Sequence, residues 1–317
     1  MVDVIIIGAG TAGLSAAIYS ERAGHHAVIL EGNTFGGQIV NTPEVANYPG
    51  LKAVSGFDFA MGLYEQATAL GAEIVFEKAV SLKKAADEGR GEAGRYFVIT
   101  TEAGSEYQAK AVIIATGAKN RHLGLPNEEA LTGKGISYCA TCDGAFFKGR
   151  DVAVNGGGNT ALEDAMFLTD YCSKVYIIHR RDAFRGEPSL LEMLQKKENV
   201  EFVLNSTVTA LNESEEDGRK KLDSVEVTDK ISGEKRNISV DALFVAIGQE
   251  PDNKAFEEYI ELDKAGYGVA DDSCHTKTPG IFIAGDCRTK KLRQLITAAS
   301  DGAVAALEAV SYIQQNY

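Results

Sequence analysis

Basic charge is in short supply in this sequence. Its 317 residues carry 32 Lys and Arg against 45 Asp and Glu, a formal net charge of −13. An acidic surface offers nothing favourable to nucleic acid or to an anionic membrane, so neither is an expected partner. Long apolar runs are also missing, since none approaches the ~20 residues that a membrane-spanning helix needs. The hydrophobic content of 44% and the charged content of 24% are ordinary for a soluble globular protein.

A secretory signal is not visible either. The apolar stretch 2–7 runs straight into a glycine-rich loop and is typical of a first strand. We therefore expect a cytoplasmic protein. In that compartment the five cysteines do not indicate a disulfide framework, and a C-x-x-C pair indicates catalysis or metal binding. The length favours two domains, each with its own core.

One pattern occurs twice in the chain. The first copy is an apolar strand, Val4 to Ile7, then Gly8-Ala9-Gly10-Thr11-Ala12-Gly13, a helical stretch and a second strand that ends at Glu31. The second copy is a strand, Val152 to Asn155, then Gly156-Gly157-Gly158-Asn159-Thr160-Ala161, a helical stretch and a strand that ends at His179. In both copies 23 residues separate the first glycine from the end of the second strand (8 to 31 and 156 to 179).

Each glycine of the pattern has a physical purpose. The first makes a tight strand-to-helix turn, the second lets the backbone approach a pyrophosphate, and the third (or an alanine) lets helix and strand pack closely. The helix N-terminus adds free N–H groups and the positive end of a dipole. Two copies in strand–loop–helix–strand context predict two dinucleotide sites, against the alternative of two glycine turns in an unrelated α/β protein. The candidate binding residues are Gly8, Gly10, Ala12, Gly13, Gly156, Gly158, Asn159 and Thr160.

The copies differ at the end of the second strand. Glu31 can accept hydrogen bonds from an adenosine ribose, which suits FAD. The second copy continues from His179 into Arg180, Arg181 and Arg185, which could grip a 2′-phosphate and suit NADPH. The alternative for the arginines is a solvated surface cluster.

The later chain returns to the first fold. Apolar strands end at Thr116-Gly117 and at Ile247-Gly248, and another is followed by Gly285-Asp286, an acidic residue where ligands lie in such sheets. We predict an α/β protein with two Rossmann-like, three-layer ββα-type domains: an FAD domain at 1–118 and 249–317, interrupted by an NADPH domain at 119–248. The charged stretches 83–95 and 213–221 are expected to be hairpin tips.

A dithiol candidate lies between the two patterns, at Cys139-Ala140-Thr141-Cys142-Asp143. This spacing lets both sulfurs lie on one turn at a helix start, which lowers a thiol pKa. Asp143 is well placed to move protons as a disulfide opens. The alternatives are zinc, which wants four ligands, and two unreactive core cysteines. Cys172 is expected near a helix end, Cys274 in a strand, and Cys287 either as a buried filler or near a flavin; no metal site is predicted.

Together these features resemble the low-molecular-weight, bacterial-type thioredoxin reductases of the pyridine nucleotide-disulfide oxidoreductase family. The resemblance runs over nearly the whole chain in the family's order. It is carried by residues 8–13, Gly36-Gly37-Gln38, Ser137-Tyr138-Cys139-Ala140-Thr141-Cys142-Asp143-Gly144, residues 156–161, residues 179–185, Gly285-Asp286 and Arg293-Gln294.

The resemblance implies a homodimeric flavoprotein oxidoreductase that passes electrons from NADPH through FAD and a Cys139–Cys142 disulfide to thioredoxin. By family pattern Cys142 lies against the flavin, Cys139 attacks thioredoxin's disulfide, and Asp143 is the acid/base. The same pattern implies an inserted domain that rotates, and Gly117 and Gly248, which lie at the joins between the two domains, are the candidate hinges. The residues implied along the FAD are Gly36, Gly37, Gln38, Asn47, Thr116, Gly117, Gly285, Asp286, Arg293 and Gln294.

Three rival interpretations remain. A relative that takes electrons from ferredoxin, or a dithiol oxidase, would typically lose the second glycine pattern and the arginines, which are intact here. A reductase subunit serving a peroxidase would usually carry an added thioredoxin-like domain, for which this length leaves no room. A non-catalytic NADPH-dependent redox sensor would need no fast exchange with a protein disulfide.

Overall fold

The computed structural model describes residues 1–42, 44–86, 95–216 and 219–317. These residues divide into two compact units. We call Met1–Lys119 with Glu250–Tyr317 the first unit, and Asn120–Gln249 the inserted unit. Of the helices in the described ranges, none is both long enough and apolar enough to cross a membrane.

Residues 2–120 contain β1 (Val2–Ile7), α1 (Thr11–Arg22), β2 (Ala27–Leu30), α2 (Gly56–Ala69), β3 (Glu73–Val75), β4 (Ala79–Ala86), β5 (Arg95–Thr101), β6 (Glu106–Ile114) and β7 (Ala118–Asn120). Residues 128–251 contain α3 (Glu128–Leu131), β8 (Ile136–Ser137), α4 (Ala140–Asp143), β9 (Asp151–Gly156), α5 (Asn159–Thr169), β10 (Lys174–Ile178), α6 (Pro188–Gln195), β11 (Val200–Val203), β12 (Ser206–Glu216), β13 (Arg219–Asp229), β14 (Lys235–Ser239), β15 (Ala242–Ala246) and β16 (Gln249–Pro251). The remaining chain contains β17 (Ile281–Ile283) and α7 (Leu295–Asn316).

The first unit is built on one sheet in the order β3-β2-β1-β6-β5-β4, with β17 also paired to β6. The strands β3, β2, β1, β6 and β17 pair in parallel, whereas β4, β5 and β6 pair antiparallel. One buried cluster joins Val4 and Ile6 of β1 to α1 and α7, and another joins Ile5 and Ile7 to the antiparallel strands. Because successive side chains of a strand point to opposite faces, a strand covered on both faces is apolar throughout.

The inserted unit repeats this plan. Its parallel sheet has the order β11-β10-β9-β15-β8, and β12, β13 and β14 form an antiparallel sheet. One face of β9 packs on α5, and the other packs on the antiparallel strands. The ends of the unit are tied together, since Arg121 N donates to Gly248 O at 3.0 Å and Gln249 Nε2 to Asn120 Oδ1 at 2.8 Å.

The predicted fold class, two Rossmann-like units of which one is inserted into the other, is confirmed. The helices begin earlier than the sequence indicated: α1 starts at Thr11 and α5 at Asn159, inside the glycine patterns. Both predicted hairpins are antiparallel pairs, β4 with β5 and β12 with β13, while residues 87–94 and 217–218 of the expected tips lie outside the described residues. The strand expected at Cys274 is wrong, because this residue has a φ of 63° and lies between elements.

Candidate functional site

The carboxyl ends of three neighbouring parallel strands form the candidate site of the first unit. Ile7 of β1 pairs with Ile114 of β6, which also pairs with Ile283 of β17. The loops that follow these strands therefore start side by side. They are residues 8–13, 115–117 and 284–287, and the edge where they meet is where ligands bind in such sheets.

The first loop shows why glycine is needed at two of its positions. Gly8 has a φ of 108°, and a Cβ there would lie 2.4 Å from the Ala115 carbonyl oxygen. A Cβ on Gly13 would lie 1.8 Å from the Gly8 carbonyl oxygen. A Cβ on Gly10, by contrast, would meet no heavy atom of the described residues within 4 Å. The backbone is thus tightly packed against the protein at Gly8 and Gly13, whereas it has free space at Gly10, directly before α1 begins.

Glu31 follows β2 beside this loop. Its carboxylate accepts hydrogen bonds from the backbone N–H groups of Ala9, at 2.7 Å, and Asn33, at 2.8 Å. The side chain is half-buried, so the carboxylate keeps a side towards solvent. A carboxylate so oriented can accept further hydrogen bonds from the hydroxyls of a bound ribose.

The stretch Gly36-Gly37-Gln38 lies against the same loop. Gly36 N donates to Ala9 O at 2.7 Å, and a Cβ on Gly37 would come 3.5 Å from Gly10 Cα. The Gln38 amide donates to the carbonyl of Ala118. Both glycines have positive φ, 88° and 67°, which other residues adopt rarely. The fold thus brings this stretch to both the β1 and β6 loops.

Asp286 lies in the third loop with a carboxyl group that the protein does not satisfy. Within the described ranges its Oδ1 is buried and has no hydrogen-bond partner. Burial is the main cause that raises the pKa of Asp286 above its usual range. The Gly285 N–H before it donates to Asp301 Oδ2 at 2.9 Å, which fixes the loop. An orphaned buried acceptor is costly unless a ligand completes it.

The residues before α7 join this loop. Arg293 Nε donates to Asp286 O at 3.2 Å, and its guanidinium lies 4.0 Å from the centroid of the Tyr267 ring. Gln294 caps α7 and accepts a hydrogen bond from Asn47 Nδ2 at 3.1 Å. The structure therefore groups nearly all residues that the sequence implied for FAD around the carboxyl ends of three strands.

The inserted unit builds its glycine loop differently. A Cβ on Gly156 would lie 2.3 Å from Ala246 O, so this glycine is required by the close neighbour strand. Around Gly158, the N-cap of α5, the described residues leave 4 Å of open space. A Cβ on Gly157 would strike the His179 ring, 2.1 Å from Cε1.

His179 supports this loop from within. The side chain is 5% exposed, stacks on Phe184 with ring centroids 4.9 Å apart, and contacts Ala183 O through Nε2 at 3.2 Å. Burial, followed by smaller effects that include the neighbouring arginines, lowers the pKa of His179. The ring is therefore neutral at pH 7 and lies beneath the loop, so direct nucleotide binding by His179 stays a prediction.

The three arginines after β10 are exposed and close to the loop. Arg185 N donates to Gly157 O at 2.8 Å, and Asn159 Oδ1 accepts from Glu187 N at 2.7 Å. Thr160 is exposed at the start of α5. In the part of the chain that the structure describes, Arg180, Arg181 and Arg185 form no ion pair. Guanidinium groups without an acidic partner can bind phosphate.

The C-x-x-C pair is a disulfide at the start of α4. Cys139 is the N-cap residue, Cys142 lies one turn on, and their Cα atoms are 5.3 Å apart. Both residues are half-buried. The Thr141 hydroxyl lies 3.4 Å from Cys139 Sγ. The bond is closed and still within reach of solvent, as a redox-active disulfide must be.

Asp143 follows the pair directly. Its Oδ2 accepts a hydrogen bond from Ser137 Oγ at 2.6 Å, and Ser137 Oγ in turn accepts one from Cys139 N at 3.1 Å. Burial raises the pKa of Asp143, which the Ser137 hydrogen bond partly offsets. A carboxyl group with a raised pKa keeps a proton more readily than a free carboxyl group and can pass it to a thiolate. The sequence does not indicate this role of Ser137, because all it shows is a serine two residues before the cysteine pair.

The other cysteines have different surroundings. Cys172, Cys274 and Cys287 are free and buried, and burial raises the pKa of Cys172 and of Cys287 to about 11 and that of Cys274 to about 12. Buried neutral thiols are unreactive. No group of metal-ligating side chains occurs among the residues that the structure describes.

Comparison with known proteins identifies the family. The profile of the family "Pyridine nucleotide-disulphide oxidoreductase" matches residues 2–302. The chain belongs to this family. It is 43% identical over 313 residues to a thioredoxin reductase of Listeria innocua, covering 99% of this chain and 94% of that one. It is 40% identical over 313 residues to a thioredoxin reductase of Bacillus subtilis, covering 99% and 95%.

A solved structure of the family has the same fold. The thioredoxin reductase of Streptococcus pyogenes superposes with a TM-score of 0.89 at 36% identity, covering 99% of both chains. The resemblance stated from the sequence is therefore confirmed. Family membership implies a flavin and a nicotinamide cofactor.

The residues present fit both groups. In the first unit the open backbone at Gly10, the helix start of α1 and the orphaned Asp286 Oδ1 offer donors and an acceptor to a dinucleotide. In the inserted unit the open backbone at Gly158 and the start of α5 offer N–H donors to a second dinucleotide. Each unit thus has one loop of the right chemistry.

Proposed function

We propose that this chain is an NADPH-dependent thioredoxin-disulfide reductase that uses FAD. The observation that carries the proposal is the Cys139–Cys142 disulfide in a unit with its own dinucleotide loop, inserted into a second such unit. The relatives named above, which match over nearly the whole chain, support it. FAD, when bound, would supply the redox chemistry that links hydride transfer from NADPH to the two-electron reduction of the disulfide.

The two nucleotides are assigned to the units by the chemistry at the strand ends. Glu31 would bind ribose hydroxyls of FAD, and Gly10 would let the pyrophosphate approach the start of α1. The 2′-phosphate of NADPH would be bound by Arg180, Arg181 and Arg185. A carboxylate at this strand end, such as Glu31 in the first unit, would repel that phosphate. Asp286 would accept a hydroxyl of the FAD chain at its orphaned Oδ1.

The reduced pair would then reduce thioredoxin in two exchanges. The Cys139 thiolate attacks one sulfur of thioredoxin's disulfide, and the other thioredoxin sulfur leaves and takes a proton. The Cys142 thiolate next attacks Cys139 Sγ, so that the Cys139–Cys142 bond re-forms and thioredoxin's second sulfur leaves as a thiolate. Asp143 would supply and recover the protons, since Ser137 holds its carboxyl beside the pair.

Three further parts of the proposal concern the protein's setting. We infer a homodimer, a cytoplasmic location and rotation of the inserted unit about Gly117 and Gly248 during turnover. Both glycines have positive φ, 67° and 102°, so replacing Gly248 with proline is expected to slow turnover without emptying the flavin site. Light scattering of the purified protein tests the dimer.

The test is an anaerobic titration of the flavin-loaded protein. One equivalent of NADPH should bleach the flavin band, and NADH should do so poorly. Oxidised thioredoxin should then restore the band in the wild type. In Cys139→Ser the bleaching by NADPH should persist and reoxidation by thioredoxin should be lost.

Cys172→Ser is the matched control, because Cys172 lies in the same unit but is buried and inert. It should behave as the wild type does. Absence of bleaching by either nucleotide would favour the ferredoxin-dependent or oxidase interpretation. Bleaching without reoxidation by thioredoxin in the wild type would favour a redox sensor.

A further inference from the structure

Asn253 is the most completely enclosed polar side chain near the flavin loops. It belongs to the first unit and has no exposed surface. Its Nδ2 donates to the carbonyl oxygens of Cys287, at 2.7 Å, and Gly266, at 3.0 Å. Its Oδ1 accepts from Thr116 Oγ1 at 3.0 Å. Both N–H donors and one acceptor site of the amide are therefore used.

The orientation of this amide follows from its partners. Two backbone carbonyls can only accept, so the nitrogen of Asn253 must face Cys287 and Gly266. The oxygen then faces the Thr116 hydroxyl, which must donate. No isosteric side chain reproduces this set, because aspartate lacks both donors and leucine lacks all three groups.

The segments that Asn253 joins are the loops after β6 and β17. The parallel ladder between these strands ends where Ala284 N donates to Ile114 O at 2.9 Å. Beyond that bond, β6 leads into Thr116-Gly117 and β17 into Gly285-Asp286-Cys287, and the Asn253 side chain takes over as the link between them. The Asn253 amide thus joins two loops that the proposed function places at the flavin.

A second contact at the same place strengthens this link. The Cys287 thiol packs against the carbonyls of Ala284, at 3.2 Å, and Ile114, at 3.7 Å. The Cys287 carbonyl also accepts from Gly268 N at 3.0 Å, so that it keeps one partner if Asn253 is replaced. The Gly266 carbonyl depends on Asn253 more directly, whereas the Thr116 hydroxyl also contacts the Cys287 thiol.

We propose that Asn253 is a positioning residue for the flavin: by binding Thr116 and Cys287 at once, it fixes the distance between the loop of Thr116-Gly117 and the loop of Asp286. This inference rests on the proposed function, in which both loops contact FAD. Asn253 acts on the cofactor through these two loops.

The test compares FAD binding with protein stability in three variants. Asn253→Ala removes all three hydrogen bonds, and Thr116→Val removes only the hydroxyl. Apoprotein is titrated with FAD by flavin fluorescence, the visible circular dichroism of the bound flavin is recorded, and unfolding of the apoprotein is followed in urea. We expect the FAD dissociation constant to rise roughly 10- to 100-fold in Asn253→Ala and less in Thr116→Val, with an altered flavin spectrum in both.

Asn199→Ala is the matched control. Asn199 Nδ2 likewise contacts two backbone carbonyls, Thr169 O at 3.0 Å and Cys172 O at 3.1 Å, but in the inserted unit. This variant should lose stability and keep the FAD dissociation constant and flavin spectrum of the wild type.

Each outcome decides the proposal. Wild-type FAD affinity and spectrum in both Asn253→Ala and Thr116→Val, or an equal loss of affinity in Asn199→Ala, would overturn it. If Asn253→Ala does not fold, Thr116→Val alone decides. Failure of the wild-type apoprotein to bind FAD would refute the proposed function instead, whereas FAD binding without thioredoxin reduction would refute the function and leave the role of Asn253 standing.

Discussion

The two units of this protein use the same strand–loop–helix–strand frame with opposite charge at one point. In the first unit the second strand ends at Glu31, whose carboxylate is held by two backbone N–H groups. In the inserted unit it ends at His179, which is buried under the loop, and three unpaired arginines follow among the described residues. The frame therefore fixes where a dinucleotide binds, and the strand end selects which one.

The units also differ inside the loop. Gly8 has a φ of 108°, and Gly13 leaves no space for a Cβ beside the Gly8 carbonyl. In the inserted unit the matching position is Ala161, whose Cβ is 2.7 Å from the place that a Cβ on Gly156 would take. Both units thus omit the side chain at the strand end, at Gly8 and Gly156, and the first unit omits it on the helix as well, at Gly13.

The largest effect should come from exchanging glycine and alanine at these matching positions, residue 13 of the first unit and residue 161 of the inserted unit. Gly13→Ala puts a Cβ 1.8 Å from the Gly8 carbonyl oxygen, a backbone atom that cannot move freely. We expect a loss of about 3 kcal/mol in unfolding free energy and loss of bound FAD. Ala161→Gly, in contrast, should cost about 1 kcal/mol, mainly through helix propensity. Urea unfolding and flavin content measure both, and equal costs would contradict the comparison.

The next largest effect separates the two open glycines. Gly10→Ala and Gly158→Ala add a methyl group where neither meets a described atom within 4 Å, so both apoproteins should keep their stability. Because a pyrophosphate must approach that space, Gly10→Ala should weaken FAD binding roughly 10- to 100-fold, and Gly158→Ala should raise the KM for NADPH by a similar factor. Fluorescence titration measures FAD binding, and steady-state kinetics measure the KM for NADPH. Weaker FAD binding in Gly158→Ala, with a higher KM for NADPH in Gly10→Ala, would show that the nucleotides are assigned to the wrong units.

A smaller effect tests the charge at the strand end. The double variant Arg180→Gln/Arg181→Gln should raise the KM for NADPH roughly 10-fold and leave that for NADH unchanged, because charge-assisted bonds to a 2′-phosphate are lost. Arg150→Gln is the control, since Arg150 lies in the same unit but is paired with Asp241 at 2.9 Å. An equal change for both nucleotides would identify the arginines as a solvated cluster.

A comparison by pH contrasts two aspartates on helices. Burial, followed by repulsion from Glu163, raises the pKa of Asp164 on α5 to about 7, above its ordinary 3.8. Burial also opposes ionisation of Asp301 on α7, but hydrogen bonds from Arg288 and Lys290 outweigh it and hold the pKa of Asp301 below 3.8. Asp164 therefore adds stability that is full below pH 3.8 and is lost as the pH rises to about 7.

The sign for Asp301 is the reverse, since its contribution is present above pH 3.8 and is lost as the pH falls through its lowered pKa. Calorimetry across this range should show Asp164→Asn gaining stability over the wild type towards neutral pH, and Asp301→Asn losing it there. Parallel pH profiles for the two variants would contradict these assignments.

The frame was readable from the sequence because its determinants are local. The glycine spacing, the apolar strands and the charge after each second strand all lie within about 30 residues of one another. The site's supports were not readable, because their partners are distant: Asn253 bonds Thr116 across 137 residues, and Gln294 bonds Asn47 across 247. Nucleotide binding by His179 is predicted from its position at the strand end and stays a prediction, but only the fold shows that its ring lies beneath Gly157.

The neighbouring ends of the inserted unit also have a consequence for how such a protein can be re-engineered. Because Arg121 is hydrogen-bonded to Gly248 and Asn120 to Gln249, the chain of the first unit (the host) leaves and re-enters at neighbouring positions. Closing the gap left by the insert therefore costs the host no more chain entropy than a short turn does. The insert can therefore be excised or exchanged, or the chain circularly permuted there, with only a short turn needed to rejoin the first unit.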